Sequence, residues 1–148
     1  MASFNVVGLE EVEKMFTRSG EAAERAVEPM LKAGAEVVAE AQRAEIRRMR
    51  LSRRSTGTLA ASIAISRVKI STQDLEKFIH VYPQGDHPHG HPRKGKRGLV
   101  SSAQVGFVLE YGRSNMKGRR WMSKANRKAR NEVTEAKSKV WRAAQNGI

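Results

Sequence analysis

Three histidines alternate in Asp86-His87-Pro88-His89-Gly90-His91-Pro92, and imidazole is a good ligand for zinc, nickel or copper. A working metal site also needs fixed ligand geometry and outer partners that orient each ring. Proline and glycine between neighbouring ligands on a polar loop supply neither. The cluster therefore predicts adventitious metal binding, with no resident metal and no cofactor. His80, in a β-rich run, reads as a surface or cross-strand residue. Glu110, beside Tyr111 and Gly112, could act on a substrate, but a lone acid with no second carboxylate or histidine at fixed spacing makes a poor acid–base pair. A helix-end salt bridge to one of the many arginines, within or between subunits, is the expected role. Trp121 and Trp141 could stack on bases, yet a tryptophan at a helix start and another on a helix flank suit packing or interface anchoring. Two basic clusters have the charge to neutralise phosphates and release counterions: Arg47, Arg48 and Arg50 with Arg53 and Arg54, and Arg93, Lys94, Lys96 and Arg97. Solvated charged faces are the competing reading of both. Walker, dinucleotide-binding, G-x-S-x-G and H-E-x-x-H motifs are absent, as are carboxylates paired at useful spacing. The residue set predicts binding without catalysis, and so no enzyme.

Composition narrows the classes further. With no cysteine among 148 residues, disulfide scaffolds, thiolate metal centres and cysteine nucleophiles are excluded. The length suits one domain over residues 1–148, able to bury roughly 68–70% of the surface its unfolded chain exposes. No apolar run approaches the roughly 20 residues of a membrane span, and Met1–Gly8 lacks a basic region followed by a hydrophobic one. A soluble, intracellular protein without a membrane partner is expected. Lys and Arg number 28 against 15 Asp and Glu, a net charge of +13, which predicts a polyanion or an acidic partner. The charge is uneven: residues 1–42 carry eight acids and four bases, a net −4, leaving +17 on the remainder. An acidic front and a basic back can join copies head to tail as well as meet an external polyanion.

The elements that would position these residues follow from periodicity. Leu9, Val12 and Phe16 predict a helix of about two turns ending at Ser19-Gly20. Val27, Met30, Leu31, Gly34, Val37, Val38, Ala41 and Met49 mark one face of a long helix from about Glu21 to Arg50, with Gln42 off that face. Pro29 either sets its start near Glu28 or kinks it. Gly34 costs about 1 kcal/mol against alanine and is tolerated where another backbone approaches closely. Ser62–Ile70 alternates with a change of phase near Arg67, predicting a strand with a bulge or bend, and Glu76–Tyr82 supplies its antiparallel partner. Residues 84–98 hold no apolar side chain and read as a basic His/Pro/Gly-rich surface loop, ordered only by a partner. Ser102–Tyr111 has the pattern of a short helix closed by Gly112, with a strand as the competing assignment. Met122, Ala125, Ala129, Val133, Ala136, Val140 and Ala143 form the stripe of a last helix. The fold class is α+β, with N-terminal helices and a long C-terminal helix packed on a small antiparallel sheet.

Three segments, in order, carry a resemblance: Thr56-Gly57-Thr58-Leu59-Ala60-Ala61-Ser62-Ile63, then Phe107-Val108-Leu109-Glu110-Tyr111-Gly112, then Trp121-Met122-Ser123-Lys124-Ala125. Together they resemble the tail-completion, or head-tail joining, family of long-tailed bacteriophages. Arg120 stands where that family typically has proline, and the 84–98 loop is longer and more basic than its usual pattern. The first block also has a local reading, as a turn followed by a helical turn with the Thr58 hydroxyl able to cap backbone donors. The resemblance implies a structural virion protein, made in the host cytoplasm and placed at the tail–head junction. It implies a homo-oligomeric ring, expected to be a hexamer, around the DNA channel. The implied partners are further copies, a head-closure or neck protein, a tail terminator or tail-tube protein, and DNA in the channel. The expected interface is Glu110, Tyr111, Gly112 and Arg113, held in place by Trp121 and Met122, with Glu110→Arg expected to spare the fold. A basic protein that binds nucleic acid non-specifically is the alternative.

Overall fold

The computed structural model describes residues 9–49, 57–87 and 100–147. Two long helices dominate it: α1, Leu9–Arg48, and α4, Trp121–Asn146. Between them come a one-turn helix α2 (Thr58–Ala61), the strands β1 (Ile63–Ile65), β2 (Lys69–Ile70), β3 (Lys77–Phe78), β4 (Val81–Pro83), β5 (Asp86–His87) and β6 (Val100–Ser101), the helix α3 (Ser102–Tyr111), and the strands β7 (Gly112–Arg113) and β8 (Met116–Lys117). The α+β class holds. The small sheet is four separate antiparallel two-stranded ladders.

The two N-terminal helices expected from sequence are one helix of 40 residues. Gly20 lies on an exposed stretch with nothing within 4 Å of where its Cβ would stand, so glycine there costs propensity without breaking the helix. Pro29 lies inside the same helix on its exposed side, where water can take the carbonyl that loses its N–H partner. The buried seam of α1 is also turned from the expected face. Ala22, Ala26, Ala35, Ala39, Gln42 and Ile46 are buried, whereas Val27, Met30, Leu31, Val37 and Val38 are half-buried. Opposite them, Ala125 and Ala129 are buried on α4. Small side chains occupy the line of closest approach because they let the helix axes come together, and larger residues flank it. Gly34 follows the same logic: its Cβ would stand 2.9 Å from Lys137 Cε and 3.3 Å from Val133 Cγ1, so side chains of α4, rather than a backbone, require the glycine.

Polar ties fix the two helices antiparallel. Gln42 Nε2 donates to Asn126 Oδ1 (3.2 Å), and Lys128 Nζ donates to Glu45 Oε2 (2.9 Å), with Arg48 on the other oxygen at 3.5 Å. The bond from Lys128, with Arg48 adding to it, holds the buried Glu45 carboxyl below its ordinary value against the desolvation that would raise it. A depressed carboxyl stabilises the fold above the unfolded glutamate value and loses that contribution as pH falls through the folded value. Lys128→Met is therefore expected to lower the urea midpoint at pH 7, with the gap from wild type closing as the pH drops from about 4.5. Lys128 is 53% exposed, so the effect is small. A gap that stays constant down to about pH 3 would contradict this assignment.

The main core lies where α1 ends and α4 begins: Ala39, Ile46, Leu59, Ala60, Ile63 and Trp121, with Met49, Ile65, Val81, Val105, Leu109 and Met122 around them. Gly57, at φ 74°, precedes α2 in the left-handed region and turns the chain towards β1. Thr56 lies outside the described residues. β1 pairs with β4 in the register Ile63↔Pro83 to Ile65↔Val81, and β2 with β3 as Lys69↔Phe78 and Ile70↔Lys77. Between the two ladders stand Ser66, Arg67 and Val68 on one strand against Ile79 and His80 on the other. That one extra residue is the bulge expected near Arg67. It is bridged by Ser66 N to His80 O (2.8 Å) and His80 N to Ser66 Oγ (2.9 Å). The expected surface loop begins later than Gln84, because Asp86 and His87 pair with Ser101 and Val100. Its remainder, including Arg93, Lys94, Lys96 and Arg97, lies outside the described residues. The helical assignment of Ser102–Tyr111 is the correct one.

Candidate functional site: the corner between α3 and α4

The two later resemblance segments meet at one corner. α3 starts with Ser101 as its N-cap, the hydroxyl accepting from Gln104 N at 3.1 Å, and ends at Gly112. Gly112 has φ 83°, and a Cβ there would run into Gly118 N and Met116 O. Only glycine turns the chain so sharply without steric cost. β7 and β8 then form a two-rung ladder that folds the chain back along the end of α3, secured by Arg119 N to Leu109 O (2.7 Å) and Arg120 N to Glu110 O (3.2 Å).

Arg120, at φ 52°, is the residue before α4, and its side chain makes no capping bond. The cap comes from another element. Glu110 is 4% exposed, and its Oε2 accepts from Met122 N at 2.7 Å. Its Oε1 accepts from Ser123 N at 3.4 Å and from the Ser123 hydroxyl. A carboxylate at this position satisfies otherwise unpaired amides and sits at the positive end of the helix dipole. The expected salt bridge from Glu110 to an arginine is thereby corrected: a free helix N-terminus beside it supplies the positive partner.

Trp121 is fully buried, and its Nε1 donates to Gly106 O at 2.9 Å. Gly106 permits that contact, since a Cβ there would meet Pro83 Cγ at 3.0 Å and Trp121 Cζ2 at 3.3 Å. Trp121 therefore joins α4 to α3 and β4 as a packing residue. Trp141 is half-buried on α4. Met122 packs against the same core. Of the six residues expected at an interface, Glu110 and Trp121 are interior to the subunit, while Tyr111 and Arg113 are exposed beside them. Tyr111 is 59% exposed and Phe107 61%, with ring centroids 4.8 Å apart, and Arg120 Cζ stands 5.4 Å from the Tyr111 centroid. Phe107 is the outward residue that helical periodicity could have identified: it lies four positions before Tyr111 on α3.

The basic residues divide. Arg47 and Arg48 are exposed at the end of α1, each within ion-pair distance of a glutamate on its own helix, Glu40 and Glu45. Arg50, Arg53 and Arg54 lie outside the described residues. A further basic row lies on α4, where Lys124, Arg127 and Arg130 are exposed at three-residue spacing; periodicity carried that signal and the arginine clusters masked it. His80 is exposed and edge-on to Phe78 (5.1 Å) and Tyr82 (6.4 Å) along its own strand run, and its backbone pairs across to Ser66, so it is a surface residue of the hairpin. The His89 and His91 ligands lie outside the described residues, among which no group of His, Cys, Asp or Glu is placed to hold a metal. No helix among the described residues is long and apolar enough to cross a membrane.

The model of a known family, described as "Bacteriophage HK97-gp10, putative tail-component", matches residues 10–91. That segment runs through α1, α2 and the bulged hairpin and includes the first resemblance block; the corner of α3 and α4 follows it. No curated protein and no solved structure matches the chain significantly.

Proposed function

The chain belongs to the HK97-gp10-like family of bacteriophage tail components, and from that premise we propose that it is a non-enzymatic virion protein that completes the tail end and joins tail to head. In this reading identical copies form a ring, a hexamer, around the DNA path, between a tail terminator or tail-tube protein and a head-closure or neck protein. The family match is the observation that carries it. A shape in which α1 runs far past the body of the subunit supports it too, because a subunit with distinct surfaces at its two ends associates heterologously, and heterologous contacts close into rings when the rotation permits.

Deleting the gene should give lysates in which electron microscopy shows filled heads and unattached tails side by side. Joined particles at normal yield would reject the reading. The exposed row Lys124, Arg127 and Arg130 favours a second role for the same protein, contact with DNA in the channel. If non-specific nucleic-acid binding were instead the whole function, the isolated protein would bind DNA with an affinity that collapses between about 50 and 200 mM salt, and heads and tails would join without it.

A further inference from the structure

We infer that the protruding first turns of α1 dock on the aromatic and basic corner of a second copy of this chain, an assignment that rests on the ring reading above. The pairs Gln42–Asn126 and Glu45–Lys128, with Gly34 against Val133 and Lys137, set the antiparallel register of α1 and α4. In that register Asn146, the last residue of α4, reaches about the level of Glu24. Among the described elements Leu9–Gly20 therefore runs on alone for about 18 Å. On it Val12, Met15 and Phe16 are 49, 66 and 74% exposed, an i, i+3, i+4 triplet that nothing among the described residues covers.

The occupant follows from charge and distance. Residues 9–20 carry three acids against two bases, and the exposed Glu21, Glu24 and Glu28 with Arg25 extend the acidic excess along the helix. The groove between α1 and α4, about 650 Å³, is lined by Glu36, Glu40, Glu45 and Glu132 against Arg48 and Lys128, an acidic excess that disfavours an acidic segment. The α3–α4 corner is the opposite: Phe107 and Tyr111 stand exposed as a pair, and Arg113, Arg119 and Arg120 are exposed around them. An apolar triplet on a helix of net acidic charge meets an aromatic pair with basic flanks on the other surface. Within one subunit the two surfaces cannot touch. Phe16 and Ile46 are separated by 30 residues of one helix, about 45 Å, and Ile46 packs in the same cluster as Trp121 at the corner. Each subunit thus offers one surface at each end, the condition for a heterologous head-to-tail contact.

Absence of cysteine makes the test clean. Virions carrying Phe16→Cys together with Phe107→Cys, treated with a mild oxidant, should give a ladder of disulfide-linked chains on a non-reducing gel, and each single variant none. The largest rung gives the ring size. As a second variant, Phe16→Asp leaves every buried contact in place and should melt as wild type while losing oligomer in particles. A discrete oligomer in virions, counted by native mass spectrometry, with no cross-link from the double variant would overturn this contact and leave the ring intact, as would Phe16→Asp oligomer at wild-type yield. Cross-linked chains of unlimited length, with no largest closed species, would keep the contact and reject the ring.

Discussion

Trp121→Ala is expected to destabilise the subunit by about 3–5 kcal/mol, the usual cost of emptying a buried indole site. The side chain is fully buried among α1, α2, α3 and β1, and its N–H is the donor to Gly106 O. Truncation therefore opens a cavity and also removes the hydrogen bond to the Gly106 carbonyl. Against a typical total of about 5–15 kcal/mol, the loss is large enough to lower the melting temperature by about 10 °C or more. Trp121→Phe keeps most of the ring volume and loses the hydrogen bond, so it should fall between. Urea denaturation of the three proteins tests this, and a Trp121→Ala loss below about 1 kcal/mol would mean that the corner is not anchored through this residue.

The second large effect is at Glu110. Glu110→Ala removes the acceptor for Met122 N and Ser123 N and should cost about 1–3 kcal/mol, as loss of a helix cap does when the donors are part-buried. Glu110→Arg should cost more, about 3–5 kcal/mol, because it places a cation in a site 4% exposed at the positive end of α4. This reverses the expectation from sequence that the arginine variant would spare the fold and act only between subunits. Glu110→Gln retains an acceptor oxygen and should lose the least. Equal stability of wild type and Glu110→Arg would show that the carboxylate does not cap α4.

Much of this was legible in the sequence. The stripe from Met122 to Ala143, the phase change at Arg67 and the closure of α3 by Gly112 are local patterns, and each reappears as an element, a bulge and a turn. What misled was tertiary. Ser19-Gly20 and Pro29 signal breaks in a chain considered alone, yet α1 runs through both. Its covered seam is alanine because α4 lies close against it, while the larger Val12 and Phe16, which look like core by spacing, are left uncovered by the described residues. Glu110 likewise looks like a surface acid in sequence. Only the return of the chain through β7 and β8 places the start of α4 against its carboxylate.

Function divides along the same line. The family match covers α1 and the hairpin, whereas the exposed aromatic pair and the capped helix that frame the corner lie beyond it. A tail component could act at either end of the tail or along it, and the joining role is the claim on which the ring and its contacts depend. The most direct measurement is complementation in vitro of a lysate from phage lacking the gene. Purified protein added to its separated filled heads and unattached tails is expected to restore joined, infectious particles, and the Phe16→Asp protein is expected to fail. Heads and tails that stay apart after addition of the wild-type protein, or that join without it, would contradict the account.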